Sequence, residues 1–149
     1  MYQLLFKQQV AKGFQNISRA NFDDVLKLFS PDIHFTFIGN HAMSGDWHSR
    51  DAAKRWFERV HRLFPDLKLI PHRIVVTGWP WDVTAITQFE VQATLPNQSP
   101  YSNRGIQILR IRWGKIVEDY LIEDTQLLVS ALGQLVKHGN TEAAAAPLY

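Results

Sequence analysis

Residues 102–124 read SNRGIQILRIRWGKIVEDYLIED, and their patterning decides the fold. Apolar and polar residues alternate on both sides of Trp113-Gly114-Lys115, which predicts two long strands joined by a tight hairpin around a glycine. The extended pattern continues upstream. Residues 67–77 and 83–95 read as two further strands, joined by the rigid aromatic turn Gly78-Trp79-Pro80-Trp81-Asp82. The polar loop Pro96-Asn97-Gln98-Ser99-Pro100 leads on to the strand that starts at Ser102. Strands over 67–77, 83–95, 102–113 and 115–123 therefore form an antiparallel meander. A helix over 125–137 follows, with Leu127, Leu128, Ala131, Leu132 and Leu135 to dock.

Upstream of Pro65 the apolar period is helical. Leu4, Leu5, Val10, Phe14 and Ile17 mark a first helix, which Gly13 weakens. Phe22, Val25, Leu26 and Phe29 mark a second, ended by Ser30-Pro31-Asp32. A short strand over 33–38 is expected next, then a loop from Gly39 through Trp47 and His48. Ser49 is placed to cap a third helix, whose stripe is Ala53, Trp56, Phe57, Val60, Leu63 and Phe64. Helices first and a strand meander second predict the α+β class, with helices on one face of a curved sheet. One domain is expected over residues 1–137, with an alanine-rich flexible tail over 138–149.

The chain has 149 residues, 46% hydrophobic and 20% charged, enough to hide roughly two-thirds of its unfolded surface in one core. It has no cysteine, which excludes disulfides, thiolate catalysis and zinc–thiolate sites. Five Trp and nine Phe exceed what a minimal core needs, and large rings fill wide spaces or line pockets. A net charge of +2 is too weak to imply a nucleic-acid partner. Arg50, Lys54, Arg55, Arg59 and Arg62 are read as the solvated face of the third helix. No signal peptide or membrane span is expected, and a cytoplasmic location is the default.

In that order, Phe29-Ser-Pro-Asp32, Phe35-Thr-Phe-Ile-Gly39, Gly45, Trp56-Phe57, the 95–103 loop and Gly-Lys-Ile-Val-Glu118 resemble the SnoaL-like group of the nuclear-transport-factor-2-like superfamily. Its relatives include ketosteroid isomerase, polyketide cyclases and limonene-epoxide hydrolase. The resemblance implies a cystatin-like cone: a mostly antiparallel sheet wrapped around N-terminal helices. It also implies an apolar pocket, a hydrophobic small molecule as partner, no cofactor, and a homodimer across the outer sheet face. Arg104, Ile106, Ile108, Arg110 and Arg112 alternate away from Gln107 and would lie in that interface.

Enzymes of the group set an acid or base inside an apolar cavity, where burial lifts a carboxyl toward neutral pKa. The isomerase base position falls near Thr36 or Phe37 and its oxyanion tyrosine near Phe14, so that mechanism is disfavoured. The acid shared by cyclases and the epoxide hydrolase falls on Leu121; Asp119, two residues earlier, faces the same side. Asp119 is either a displaced functional acid or a polar residue facing solvent or a helix end. Glu90 is the second catalytic candidate, with Gln88 and Gln107 orienting the substrate, or else the row Gln88, Glu90 and Gln92 faces water. Phe37, Trp47, Trp56 and Tyr101 are expected near the pocket mouth.

Metal chemistry finds little support in the sequence. Glu58 and His61 form a single Glu-x-x-His where a di-iron site needs two, and His41, Asp46 and His48 share a loop without fixed geometry. His34 and His72, on strands, read as pocket or core groups. Two functions stay open: acid–base isomerisation, cyclisation or hydrolysis of a hydrophobic ketone, polyketide or epoxide, or non-catalytic ligand binding or dimerisation.

Overall fold

A computed structural model describes residues 1–149. The elements run α1 (Tyr2–Ser18), α2 (Phe22–Leu26), β1 (Phe29–Phe37), β2 (Gly45–Trp47), α3 (Arg50–Leu63), β3 (Lys68–Trp79), β4 (Asp82–Thr94), β5 (Pro100–Arg112), β6 (Lys115–Glu123) and α4 (Thr125–Lys137). The expected α+β class holds. One six-stranded sheet has the order β2-β1-β6-β5-β4-β3. From β3 to β6 it is the predicted antiparallel meander, because three successive short turns leave each strand beside its predecessor. β1 joins it by pairing parallel to β6, so the sheet is mixed.

Alternation along the strands sorts the side chains. On β4, Val83, Ala85, Thr87, Phe89, Val91 and Ala93 are buried, while Ile86, Gln88 and Gln92 are exposed. The inner face meets α1 through Val10 and Phe14, and α3 through Trp56, Phe57 and Val60. Ser49 caps α3 as expected, its Oγ accepting from the Ala52 N–H at 3.0 Å. α1 is fastened to β3 near both ends. The Tyr2 hydroxyl donates to the Gly78 carbonyl, and the Leu69 N–H donates to Ser18 Oγ at 2.9 Å.

Several boundaries differ from the sequence reading. The second helix stops at Leu26, and Phe29 belongs to β1, which takes in Pro31. Proline is tolerated there because the β1–β6 pairing is irregular between Phe29 and His34, so no ladder N–H is missed. The loop before α3 holds β2, aligned by Phe35 against Trp47, whose rings stack at 4.2 Å. Leu127 is exposed on α4, which docks through Leu128, Ala131, Leu132 and Leu135.

The basic face of α3 is solvated at Lys54, Arg55 and Arg62, as expected, and partly covered at Arg50 and Arg59. Arg50 donates to the Phe29 carbonyl from Nε and Nη2, and Arg59 Nη1 donates to the carbonyls of Ala42 and Ala146. Arg62 makes a two-pronged pair with Glu142 at 2.8 Å on each arm. Those contacts hold down the segment expected to be flexible. Residues Thr141–Ala144 form a 3-10 turn, Ala143 is buried, and Leu148 bridges to Gly45 beside β2. The segment is docked because the guanidinium groups supply partners that composition does not reveal.

Candidate functional site

The sheet curls far enough from α1 and α3 to leave a cavity of about 460 Å³ between them, a size suited to a drug-sized molecule. Its walls are apolar: Phe14 from α1, Trp56, Phe57 and Val60 from α3, and Phe35, Phe89, Leu109 and Leu121 from the sheet. Polar residues enter on two sides. Gln9, Lys12 and Asn16 of α1, with Asp24 and Lys27 near α2, edge the partly exposed side. Gln107, Asp119 and Glu123 project from β5 and β6. Gly13 faces the cavity from the middle of α1, and a Cβ built there meets nothing within 4 Å.

Strand register explains the polar set. Asp119, Leu121 and Glu123 follow one another at every second position of β6, so all three point inward. Across on β5 they face Leu109, Gln107 and Gly105 in turn. Gln107 thus lies diagonal to both carboxyls, and Gly105 leaves room for Glu123: a Cβ there would come within 2.9 Å of Glu123 Cγ and 2.6 Å of Phe89 Cζ.

Burial dominates the electrostatics. Asp119 is 5% exposed, and desolvation raises its pKa from 3.8 to about 7, with the Gln107 amide pulling the other way. Burial likewise raises Glu123 from 4.5 to about 8. Neither Asp119 Oδ1 nor Gln107 Oε1, both on the cavity wall, has a hydrogen-bond partner. Buried polar atoms are nearly always paired, so these stand ready for a guest with its own donors, water included. A carboxyl near neutral pKa in an apolar cavity can both give and take a proton at physiological pH.

Of the residues singled out in the sequence, the cavity gathers Asp119, Gln107, Leu121 and Trp56. The expectation of Glu90 and Gln88 in the pocket is corrected, because both lie on the outer sheet face. There Glu90 hydrogen-bonds Gln92 at 2.9 Å and His72 at 3.0 Å, contacts that hold its carboxyl below the usual range. Phe37, Trp47 and Tyr101 are buried but do not line the cavity. Tyr101 stacks on Phe64 at 5.5 Å and accepts from Asn103 Nδ2, while Phe37 meets the edge of His41. His34 and His72 are neither pocket nor core groups; each is partly exposed and paired with a carboxylate, Asp46 and Glu90 respectively.

Glu123 and Gly13 are among the cavity residues that sequence reasoning missed, and Gly105 makes the room for Glu123. The signal for Glu123 was present, since the same two-residue step that carries Leu121 to the face of Asp119 carries Glu123 there as well.

A curled α+β sheet closed over helices around an internal cavity defines the nuclear-transport-factor-2-like class. The chain belongs to the SnoaL-like domain family, whose model matches residues 10–119. Among solved structures it is similar to IdmH of Streptomyces antibioticus, a proposed polyketide cyclase, at 21% identity and a TM-score of 0.71, covering 87% of this chain and 97% of that one. AclR of Streptomyces galilaeus, a proposed hydroxylase, is similar at 23% identity and a TM-score of 0.69, covering 87% and 96%. A proposed SnoaL-like polyketide cyclase of Jannaschia sp. CCS1 is similar at 14% identity and a TM-score of 0.72, covering 87% and 92%. No curated protein matches the chain in sequence. No helix is long and apolar enough to cross a membrane.

Proposed function

We propose that the chain is an acid–base enzyme acting on an apolar, carbonyl-bearing small molecule of polyketide type, with Asp119 as its acid–base residue and Gln107 orienting the substrate. One observation carries this reading: a buried carboxyl with pKa about 7 and an unpartnered oxygen, inside an otherwise apolar cavity. The ionised Asp119 takes a proton from a carbon beside the substrate carbonyl, and the resulting enolate attacks a second carbonyl of the same molecule. The alkoxide so formed regains a proton, the carboxyl returning what it took. Glu123 lies four residues along the strand, roughly 13 Å away between Cα atoms. That span suits a second polar group at the far end of an elongated ligand. The similarity to proposed cyclases agrees with this chemistry.

The test is turnover of poly-β-ketone analogues, with binding followed by quenching of Trp56. Asp119→Asn is expected to lower kcat at least 100-fold while ligand affinity changes less than tenfold. If turnover survives in Asp119→Asn, the assignment fails. If wild type binds the analogues and converts none, the chain is a binding protein.

A second copy of the chain is the proposed partner. Ile86, Ile106, Ile108, Tyr120 and Ile122 are each 37–44% exposed and adjoin across β4, β5 and β6. Arg104, Arg110, Glu90 and Glu118 border this apolar patch with both signs of charge, so the face is complementary to itself under a two-fold axis.

A further inference from the structure

Outside the cavity, the outer face of the β1–β2 pair carries a compact group of ligand-type side chains. His34 stands on β1, while Asp46 on β2 and His48 just after it come from the other side of the pair. Their ligand atoms all lie within 4.8 Å of one another. His34 Nε2 is 2.7 Å from Asp46 Oδ1, and the two imidazole rings stack with centroids 4.1 Å apart and planes 13° from parallel.

The backbone holds this group in place. Pairing of Phe35 with Trp47 and of Thr36 with Asp46 brings His34 opposite His48, with Asp46 on the diagonal. On the opposite, buried face of the same pair, Phe35 and Trp47 stack and Phe35 also packs against Trp56, so the strands cannot slip in register. His48 makes no hydrogen bond of its own, leaving its ring free to turn toward a shared ion. A tetrahedral zinc ion with bonds of about 2.0–2.1 Å needs ligand atoms about 3.4 Å apart. Rotation of exposed side chains covers the difference.

We propose that His34, His48 and Asp46 bind one divalent transition-metal ion, with solvent completing its coordination. Two imidazoles and one carboxylate favour zinc, cobalt, nickel or copper over magnesium or calcium, which take oxygen ligands. Two of the three ligands, His34 and Asp46, stand on strands, which hold ligands more firmly than a loop does, and His48 follows directly on β2. It is separate from the cavity, whose lining includes none of the three residues, and it does not depend on the acid–base reading.

The experiment is titration of the full-length protein, free of any added histidine tag, with Zn²⁺ by calorimetry and with Co²⁺ by its visible absorption. One equivalent of each is expected to bind with Kd below about 10 µM. Co²⁺ should give the intense bands of a four- or five-coordinate site. His48→Ala and Asp46→Asn, both at exposed positions, should each weaken binding at least tenfold with an unchanged circular-dichroism spectrum, and His34→Gln/His48→Gln should abolish it. His72→Ala should leave it untouched. Wild-type binding weaker than about 100 µM, or undiminished binding in His48→Ala, overturns the proposal.

Discussion

At the scale of single residues, Asp119 and Glu123 carry opposite signs for folding and for chemistry. Each takes up a proton more readily in the folded chain than in the unfolded one, because burial penalises its anion. The stability each contributes is therefore full below its unfolded value, 3.8 or 4.5. It is lost as pH rises through about 7 for Asp119 and about 8 for Glu123. The thermal midpoint should accordingly fall between pH 4.5 and 8.5. Asp119→Asn, which removes one titration, should flatten that slope and raise the midpoint at pH 8.5 by roughly 5 °C, as scanning calorimetry can measure. A steeper slope in the variant would contradict the burial argument. Gly13 makes a second prediction. With open space beside it, Gly13→Ala should stabilise α1 by about 1 kcal/mol, whereas Gly13→Phe should fill part of the cavity and weaken ligand binding at least tenfold. Chemical denaturation and ligand titration of the two variants separate the effects.

At the scale of elements, local chemistry accounts for what was legible. β6 and α4 begin and end where the alternation, the Gly114 hairpin and Asp124 require; Asp124 caps α4 by accepting from the N–H groups of Gln126 and Leu127. Ser49 does the same for α3, and Ser49→Ala should cost about 1 kcal/mol, measurable by urea denaturation without loss of the sheet spectrum. What escaped the sequence reading depends on partners distant in the chain. β1 begins early because β6 is there to receive Phe29, and β2 exists because β1 offers Phe35 to Trp47. Arg50 and Arg59 of α3 were read with the solvated stripe because their acceptors, the carbonyls of Phe29, Ala42 and Ala146, have no signature in composition. Glu90 was misread for the opposite reason. Its strand alternation was correctly resolved, and the row it belongs to was simply the wet one.

For the molecule as a whole, the exposed apolar patch on the outer face of the sheet is where the proposed dimer would form. Ile108 lies near the middle of the exposed apolar patch, between Ile86 on β4 and Tyr120 on β6. Sedimentation should show a dimer with Kd below about 100 µM, equivalent to at least ~5–6 kcal/mol of association. Ile108→Glu should weaken it at least 100-fold while the monomer keeps its fold. A wild-type chain that stays monomeric at millimolar concentration would rule the dimer out.

The margins of that sheet are treated differently from its face. Along β3, the Leu69 N–H and the Gly78 carbonyl are taken by Ser18 and Tyr2 of α1, and Pro71 offers no donor. Along β2, the Asp46 N–H donates to the Leu148 carbonyl at 3.1 Å, and the Leu148 N–H reaches back to Ser44. Both rims are thus partly engaged, which leaves a foreign strand less edge to template upon. The last nine residues act as a bolt across one of those rims. Proteolytic trimming behind Asn140 would draw it and bare the β2 edge, and light scattering should then show faster aggregation than in the intact chain.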